Sequence, residues 1–162
     1  MLLALALLGL ALVQTALLPR PLAVAPNLLL LLTVSHALIA GPARAARWAF
    51  YGGLSLDLCA SSGLGTHALA LLAAALATLL LGWLSRGNWL LPLLGAIVGA
   101  LAYHATLAAV ASVLVAPVEP QAYLRVAVVP DMLGTLVAAL PVYMLMRWIS
   151  GRQRGEVPVD VY

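Results

Sequence analysis

The sequence predicts an all-α integral membrane protein: a compact bundle of about six transmembrane helices. Three observations lead there. Of the 162 residues, 65% are hydrophobic and 8% charged; long apolar runs are broken at Pro, Gly and Arg clusters; and arginine and tryptophan gather at alternate breaks. A soluble domain carries about a quarter of its residues as charges. Eight arginines and five carboxylates are too few to coat a particle of this size, so lipid is expected to solvate most of the exterior. No polar stretch is long enough to fold separately, which gives a single transmembrane domain over residues 1–162.

A hydrocarbon core of about 30 Å takes roughly 20 apolar residues, with a range of about 17–25. The first segment, 2–18, ends at Pro19-Arg20-Pro21. No basic residue precedes it and Pro26 would follow an Ala23-Val24-Ala25 cut, so it reads as a retained helix and not a cleaved leader. The second, 24–40, is opened by Pro26 and closed by Gly41-Pro42. The third, 46–60, is short for a span and contains Asp57, so a re-entrant or broken helix is an alternative there. Ser61, Ser62, Gly63 and Gly65 form the turn into the fourth, 65–84. The fifth, 89–115, is the longest and suits a tilted helix, with Pro92 in its first turn. The sixth, 129–149, starts with Pro130 and is expected to kink at Pro141, leaving 150–162 as a short polar tail.

Six spans put both termini on one side. That side then holds Arg44, Arg47, Arg86, Arg147, Arg152 and Arg154, and the other holds only Arg20 and Arg125. The asymmetry fits positive-inside orientation, with both termini cytoplasmic. Trp48, Trp83, Trp89 and Trp148 each lie within three residues of an arginine in the larger group, as interfacial indoles should.

Several function classes fall away. A net charge of +3, scattered along the chain, is no nucleic-acid surface. Cys59 stands alone, so an internal disulfide and a two-cysteine metal site are excluded. Within the predicted helical segments no His, Asp or Glu pair stands at i,i+3 or i,i+4 to hold a metal, and neither a nucleophile–base motif nor a phosphate loop is present. The expectation is a protein with no catalytic residue, no metal and no cofactor.

Ionisable residues at membrane depth face protein, a partner or a cavity. Asp57 lies near mid-bilayer, about 16 Å into its segment at 1.5 Å per residue. Asn27, His67 and Asp131 open their segments on the same outer side, and His104 is placed to join them. Together these five are candidates for an outward-facing polar cavity. Each has a plainer reading: Asn27 and Asp131 as helix N-terminal caps, His67 as a satisfied interior histidine, and Asp57 as a hydrogen-bond acceptor for the 61–65 turn. Gly95-x-x-x-Gly99 permits close helix approach, within the bundle or against a second copy, and Gly52-Gly53 could admit a neighbouring helix.

The run Gly53-Leu54-Ser55-Leu56-Asp57, followed by Leu64-Gly65 and Ala68-Leu69, resembles the G-L-x-x-D…L-G-x-x-A-L pattern of the MreD family, rod shape-determining membrane proteins of bacteria. Pro26-Asn27-Leu28-Leu29-Leu30-Leu31 and Gly41-Pro42 extend the likeness, although Asn27 stands where many relatives have Asp. The resemblance implies a multi-pass protein of the bacterial inner membrane with a fold like the S-components of energy-coupling-factor transporters. It further implies a non-catalytic scaffold of the elongasome, supporting cell shape and peptidoglycan synthesis. The implied partners are MreC, which has one membrane helix, then RodA with its class B penicillin-binding protein, and the MreB filament. A small-molecule or lipid binder of the S-component type is the alternative.

Overall fold

The computed structural model describes residues 2–17, 26–60, 63–84, 90–114 and 119–154. Among them the chain is helical throughout, with no strand. Helix α1 (Leu2–Leu12) widens into a π-type turn, Val13–Leu17. Then come α2 (Leu28–Ala40), α3 (Pro42–Cys59), α4 (Thr66–Leu84) and α5 (Leu91–Leu114). Short α6 (Pro120–Tyr123) passes through a second π-type turn, Leu124–Val128, into α7 (Val129–Arg154). These last three pieces form one rod, so the described residues make six helical rods. Three of them are long and apolar enough to cross a membrane: α4, α5 and the continuous Pro120–Gly151.

The outside of the bundle is apolar. Val113, Val137 and Leu64 are 83%, 80% and 77% exposed, and Leu76, Leu80, Leu101, Met144 and Leu145 face outward with them. A surface so built is suited to hydrocarbon as its solvent, since water-soluble chains rarely expose such continuous patches. The interior, by contrast, is made of small residues. Ala45, Ala49, Ala70, Ala74 and Ala100 are fully or almost fully buried among Leu29, Leu30, Val34 and Leu71. Small side chains let helix axes come close, which is the main source of packing energy where lipid removes the hydrophobic drive.

Helix α2 is the central element, packed on α3, α4, α5 and α7. Seven of its 13 residues are buried, yet at 1.5 Å per residue it is only about 20 Å long. Its last residue is one glycine away from α3. Gly41 adopts φ 85, a left-handed conformation that reverses the chain, and Pro42 is pre-set for the first helical position. For that reason α3 begins four residues earlier than the expected 46 and reaches 18 residues, one unbroken helix with no re-entrant turn.

The sixth segment also differs from the expected 129–149. The rod starts at Pro120, so Arg125 lies within a helix and not in a loop. Pro130 does not open it: the ring of a proline crowds the carbonyl four residues back, here Val126, and that residue sits in the widened turn Leu124–Val128. At the other end α7 runs on to Arg154, into what was expected to be tail, with Pro141 inside it. The remaining limits move by a few residues, to Leu28, Thr66, Leu91 and Leu114. Residues 18, 24, 25, 89, 115 and 155–162 of the expected segments and tail lie outside the described residues.

Candidate functional site

Helices α3 and α4 meet at a point where no side chain fits. A Cβ on Gly53 would lie 2.2 Å from the Ala68 Cα and 2.5 Å from its nitrogen, backbone atoms that cannot swing aside. One turn further along α3, this contact carries Asp57 to the N-terminus of α4. There Asp57 Oδ2 accepts from the backbone N–H of Gly65 (2.8 Å) and of Ala68 (3.4 Å). Its Oδ1 accepts from the His67 backbone N–H (2.9 Å) and from the His67 ring at Nδ1 (2.8 Å). A carboxylate has about four lone-pair sites, and all four are occupied. The side chain of Asp57 is wholly inaccessible.

These bonds answer a local problem. The first N–H groups of a helix have no partner within it, and a buried donor left unmade costs about 1–3 kcal/mol. Gly65, at φ 95, turns its N–H toward Asp57 in a conformation that side-chain-bearing residues rarely adopt. The negative carboxylate also suits the positive end of the α4 dipole. Gly63 accepts from the Thr66 N–H at 3.2 Å and completes the turn. Ser61 and Ser62 lie outside the described residues. Gly53, Asp57, Gly65 and Ala68 are therefore one mechanical unit, and they are the spaced positions of the motif quoted above.

The N-terminus of α2 is closed in a parallel way. Asn27 Oδ1 accepts from the Leu30 N–H (3.1 Å) and from Gln14 Nε2 (3.2 Å). Gln14 Oε1 in turn accepts from the Leu29 N–H (3.3 Å), and the Asn27 N–H donates to Thr135 Oγ1 of α7 (3.4 Å). The helix is short and starts inside the bundle, and two other elements, the turn after α1 and α7, supply the partners.

The two caps are joined by Tyr103 of α5, which is 4% exposed. Its hydroxyl lies beside the Asn27 side chain. Its ring lies 6.2 Å from that of His67 and 5.3 Å, edge-on, from that of His104. His104 Nε2 meets Asp131 Oδ2 at 2.9 Å, and its Nδ1 meets the Tyr123 hydroxyl at 3.3 Å. With Asp131 ionised and His104 neutral, Nε2 carries the ring proton and Nδ1 accepts from the Tyr123 hydroxyl. Among the described residues no buried side-chain nitrogen or oxygen is left without a partner.

All five expected cavity residues thus gather in one half of the bundle. They form two bonded pairs, Asp57–His67 and His104–Asp131, with Asn27 tied in through Tyr103. Beside them a slot of about 380 Å³ opens between α5 and the α6–α7 rod, lined by Leu101, Ala105, Ala109 and Val128 with His104, Ser112 and Tyr123 as its polar groups. Asn27, Asp57, His67 and Asp131 do not line it. Asp131, expected as an N-terminal cap, instead lies eleven residues into the rod that begins at Pro120 and serves His104. No group of three metal-ligating side chains forms among the described residues.

Sequence reasoning passed over Gln14, Tyr103, Tyr123 and Thr135. Tyr103 had a legible signal: a buried tyrosine needs a partner for its hydroxyl, and it adjoins His104 in an otherwise apolar run. Thr135 stands four residues from Asp131, one helical turn away. Gly95 and Gly99 face inward. A Cβ at Gly99 would meet Val34 Cγ2 at 2.7 Å and Thr78 Oγ1 at 3.2 Å, and one at Gly95 would meet Leu38, Thr78 and Val34 at 3.2–3.4 Å. Gly52 faces Leu29 and Leu71. Compared with known proteins, the chain matches no family model, no curated protein and no solved structure.

Proposed function

We propose that the chain is a non-catalytic scaffold in the bacterial cytoplasmic membrane, an MreD-like component of the cell-elongation complex that holds the single helix of an MreC-like partner. The observation that carries this reading is the closure of the Asp57 site. A carboxylate that binds a ligand or moves protons keeps a lone pair open, whereas Asp57 accepts four bonds from the α4 N-terminus and His67. Its work is to fix α4 against α3. The motif that resembles the MreD family then has a mechanical meaning: Gly53 admits α4, Asp57 caps it, and Gly65 makes the turn. Broad apolar faces on α4, α5 and α7 offer surface for partner helices. RodA with its penicillin-binding partner, and MreB on the cytoplasmic side, complete the proposed assembly. Both termini are cytoplasmic in this reading.

The test is co-purification from native membranes in mild detergent. The chain should bring an MreC-like protein with it, and Asp57→Leu should insert normally but lose that partner. Clean recovery of the chain without any such partner would overturn the reading. A second reading, a small-molecule or lipid binder of the S-component type, draws on the slot beside His104 and Tyr123. A bound small molecule released from the purified chain, and lost in His104→Ala, would favour it.

A further inference from the structure

At the opposite end of the bundle the basic residues are placed quite differently. The start of α1, the end of α2, the start of α3 and the end of α7 enclose a cleft of about 480 Å³, lined among others by Leu3, His36, Arg44, Arg47, Trp48 and Ile149. Its size falls within the range of about 300–1,000 Å³ usual for small-ligand sites. Arg44 and Arg47 stand three residues apart, on one face of α3, and both are exposed. Arg47 Nε donates to the Ala43 carbonyl at 3.2 Å, which anchors the guanidinium by its inner nitrogen. Among the described residues the ion pairs are His67–Asp57 and His104–Asp131, so neither arginine has a carboxylate partner. Among the described residues no acidic side chain lines the cleft.

The wall behind them is fixed. His36 stacks on Trp48 with ring centroids 3.9 Å apart and planes 20° apart. Its Nδ1 donates to the Leu32 carbonyl at 2.9 Å, which holds the ring in place. The positive end of the α3 dipole adds to the field of the two arginines. Guanidinium groups match phosphate in charge and in fork geometry. Apart from Ser150 the rest of the lining, Leu3, Ala40, Met146 and Ile149, is apolar and adjoins the outward Leu145 and Trp148 of α7. Tryptophan beside arginine is the pairing found at the headgroup level of membranes.

We propose that this cleft binds the phosphate headgroup of an anionic phospholipid, with an acyl chain lying along Leu3, Met146 and Ile149. The arginines take the phosphate, and a described lining without a carboxylate disfavours a zwitterionic headgroup, whose cation meets no acid there. The proposal stands independently of the partner reading, since it concerns the other end of the bundle.

The experiment is native mass spectrometry of the full chain in micelles carrying phosphatidylglycerol or phosphatidylcholine of the same acyl length. Retention should favour phosphatidylglycerol by about 25-fold, since each arginine near an anionic headgroup contributes about fivefold. Arg44→Gln and Arg47→Gln should each remove about fivefold of it, and the double variant should remove the preference. Both side chains are exposed, so thermal unfolding should not change. Arg147→Gln, which lies in a separate groove beside Tyr143 and Gly151, should leave the preference intact. Equal retention of the two lipids by the unaltered chain would overturn the proposal. So would an Arg147→Gln loss as large as the double variant's, which would mean a diffuse basic collar. Soluble glycerol phosphate that binds as tightly as the lipid would overturn the lipid assignment in favour of a free phosphate compound.

Discussion

The two ends of this bundle handle charge in opposite ways. At one end Asp57, His67, His104, Asp131 and Asn27 are bonded to one another or to helix N-termini. At the other, Arg44 and Arg47 line an open cleft with no acid beside them among the described residues. The difference teaches that depth alone does not mark a functional polar group. A buried ionisable residue first has to be satisfied, and where every lone pair is occupied the residue is structural until shown otherwise. The residues free to meet something else are the exposed arginines, which a reading based on burial passes over as topology markers.

The comparison breaks most severely if α3 and α4 are not as close as Gly53 implies. Gly53→Ala places a methyl group 2.2 Å from the Ala68 Cα, and only movement of a whole helix relieves that. Movement of α4 would also pull Gly65, His67 and Ala68 from Asp57. We expect a loss above about 3 kcal/mol, because overpacking alone costs about 1–3 kcal/mol and the cap is lost with it. Thermal unfolding in detergent should show a collapse in midpoint or in yield of monodisperse protein. A wild-type midpoint would remove the close approach and with it the account of the motif.

Next comes the cap itself. Asp57→Asn keeps the shape but turns one acceptor oxygen into a donor. With the NH2 at the Oδ2 position it faces the N–H groups of Gly65 and Ala68; at the Oδ1 position it faces the His67 N–H, while the His67 ring can accept by changing tautomer. A cost of about 2–3 kcal/mol follows from unmade buried donors, and His67→Ala, which removes one bond of the four, should cost less. If the two variants are equally mild, Asp57 is not the cap and an open ligand-binding role returns.

These cases also show what the sequence could reveal. Asp57 was conspicuous because a carboxylate in an apolar run needs an explanation, and its spacing from Gly65 and Ala68 placed the explanation nearby. Asn27 before a leucine run was legible as a cap. The pairing of His104 with Asp131 was not, because it depends on where the α6–α7 rod begins. Pro130 looked like a helix start, and only the widened turn before it lets the rod continue from Pro120. Likewise Gly41-Pro42 read as a loop of several residues, yet φ 85 at Gly41 compresses it to one. Tyr103 carried a hint in its own segment, beside His104, but its contacts with Asn27 and His67 are set by α2 and α4.

A smaller effect separates the two glycines of α5. Gly99→Ala brings a methyl group to 2.7 Å from Val34 Cγ2, a side chain that can shift only partly. It should cost about 1–2 kcal/mol. Gly95→Ala meets nothing closer than 3.2 Å, and alanine gains about 1 kcal/mol over glycine within a helix, so it should be close to neutral. Chemical unfolding of both variants gives the ranking. The reverse order would mean that α5 is rotated relative to α2, and leucine at either position should be disruptive.

The smallest expected effect tests whether the His104–Asp131 pair belongs with the Asp57 cap or is a looser contact beside the slot. Its side chains are 9% and 18% exposed, whereas Asp57 is sealed. It rests on one bond at 2.9 Å where Asp57 makes four. Hydrogen bonds between membrane helices average about 0.6 kcal/mol, with a maximum near 1.7 kcal/mol. A double-mutant cycle of His104→Ala with Asp131→Ala should therefore give a coupling of about 0.5–1.5 kcal/mol, below the cost of Asp57→Asn. A coupling near zero would mean that each side chain serves its own helix and that the bond is incidental. A coupling above about 2 kcal/mol would mean that the pair is held as tightly as the cap, and that the two clusters act as one polar core with Tyr103 between them.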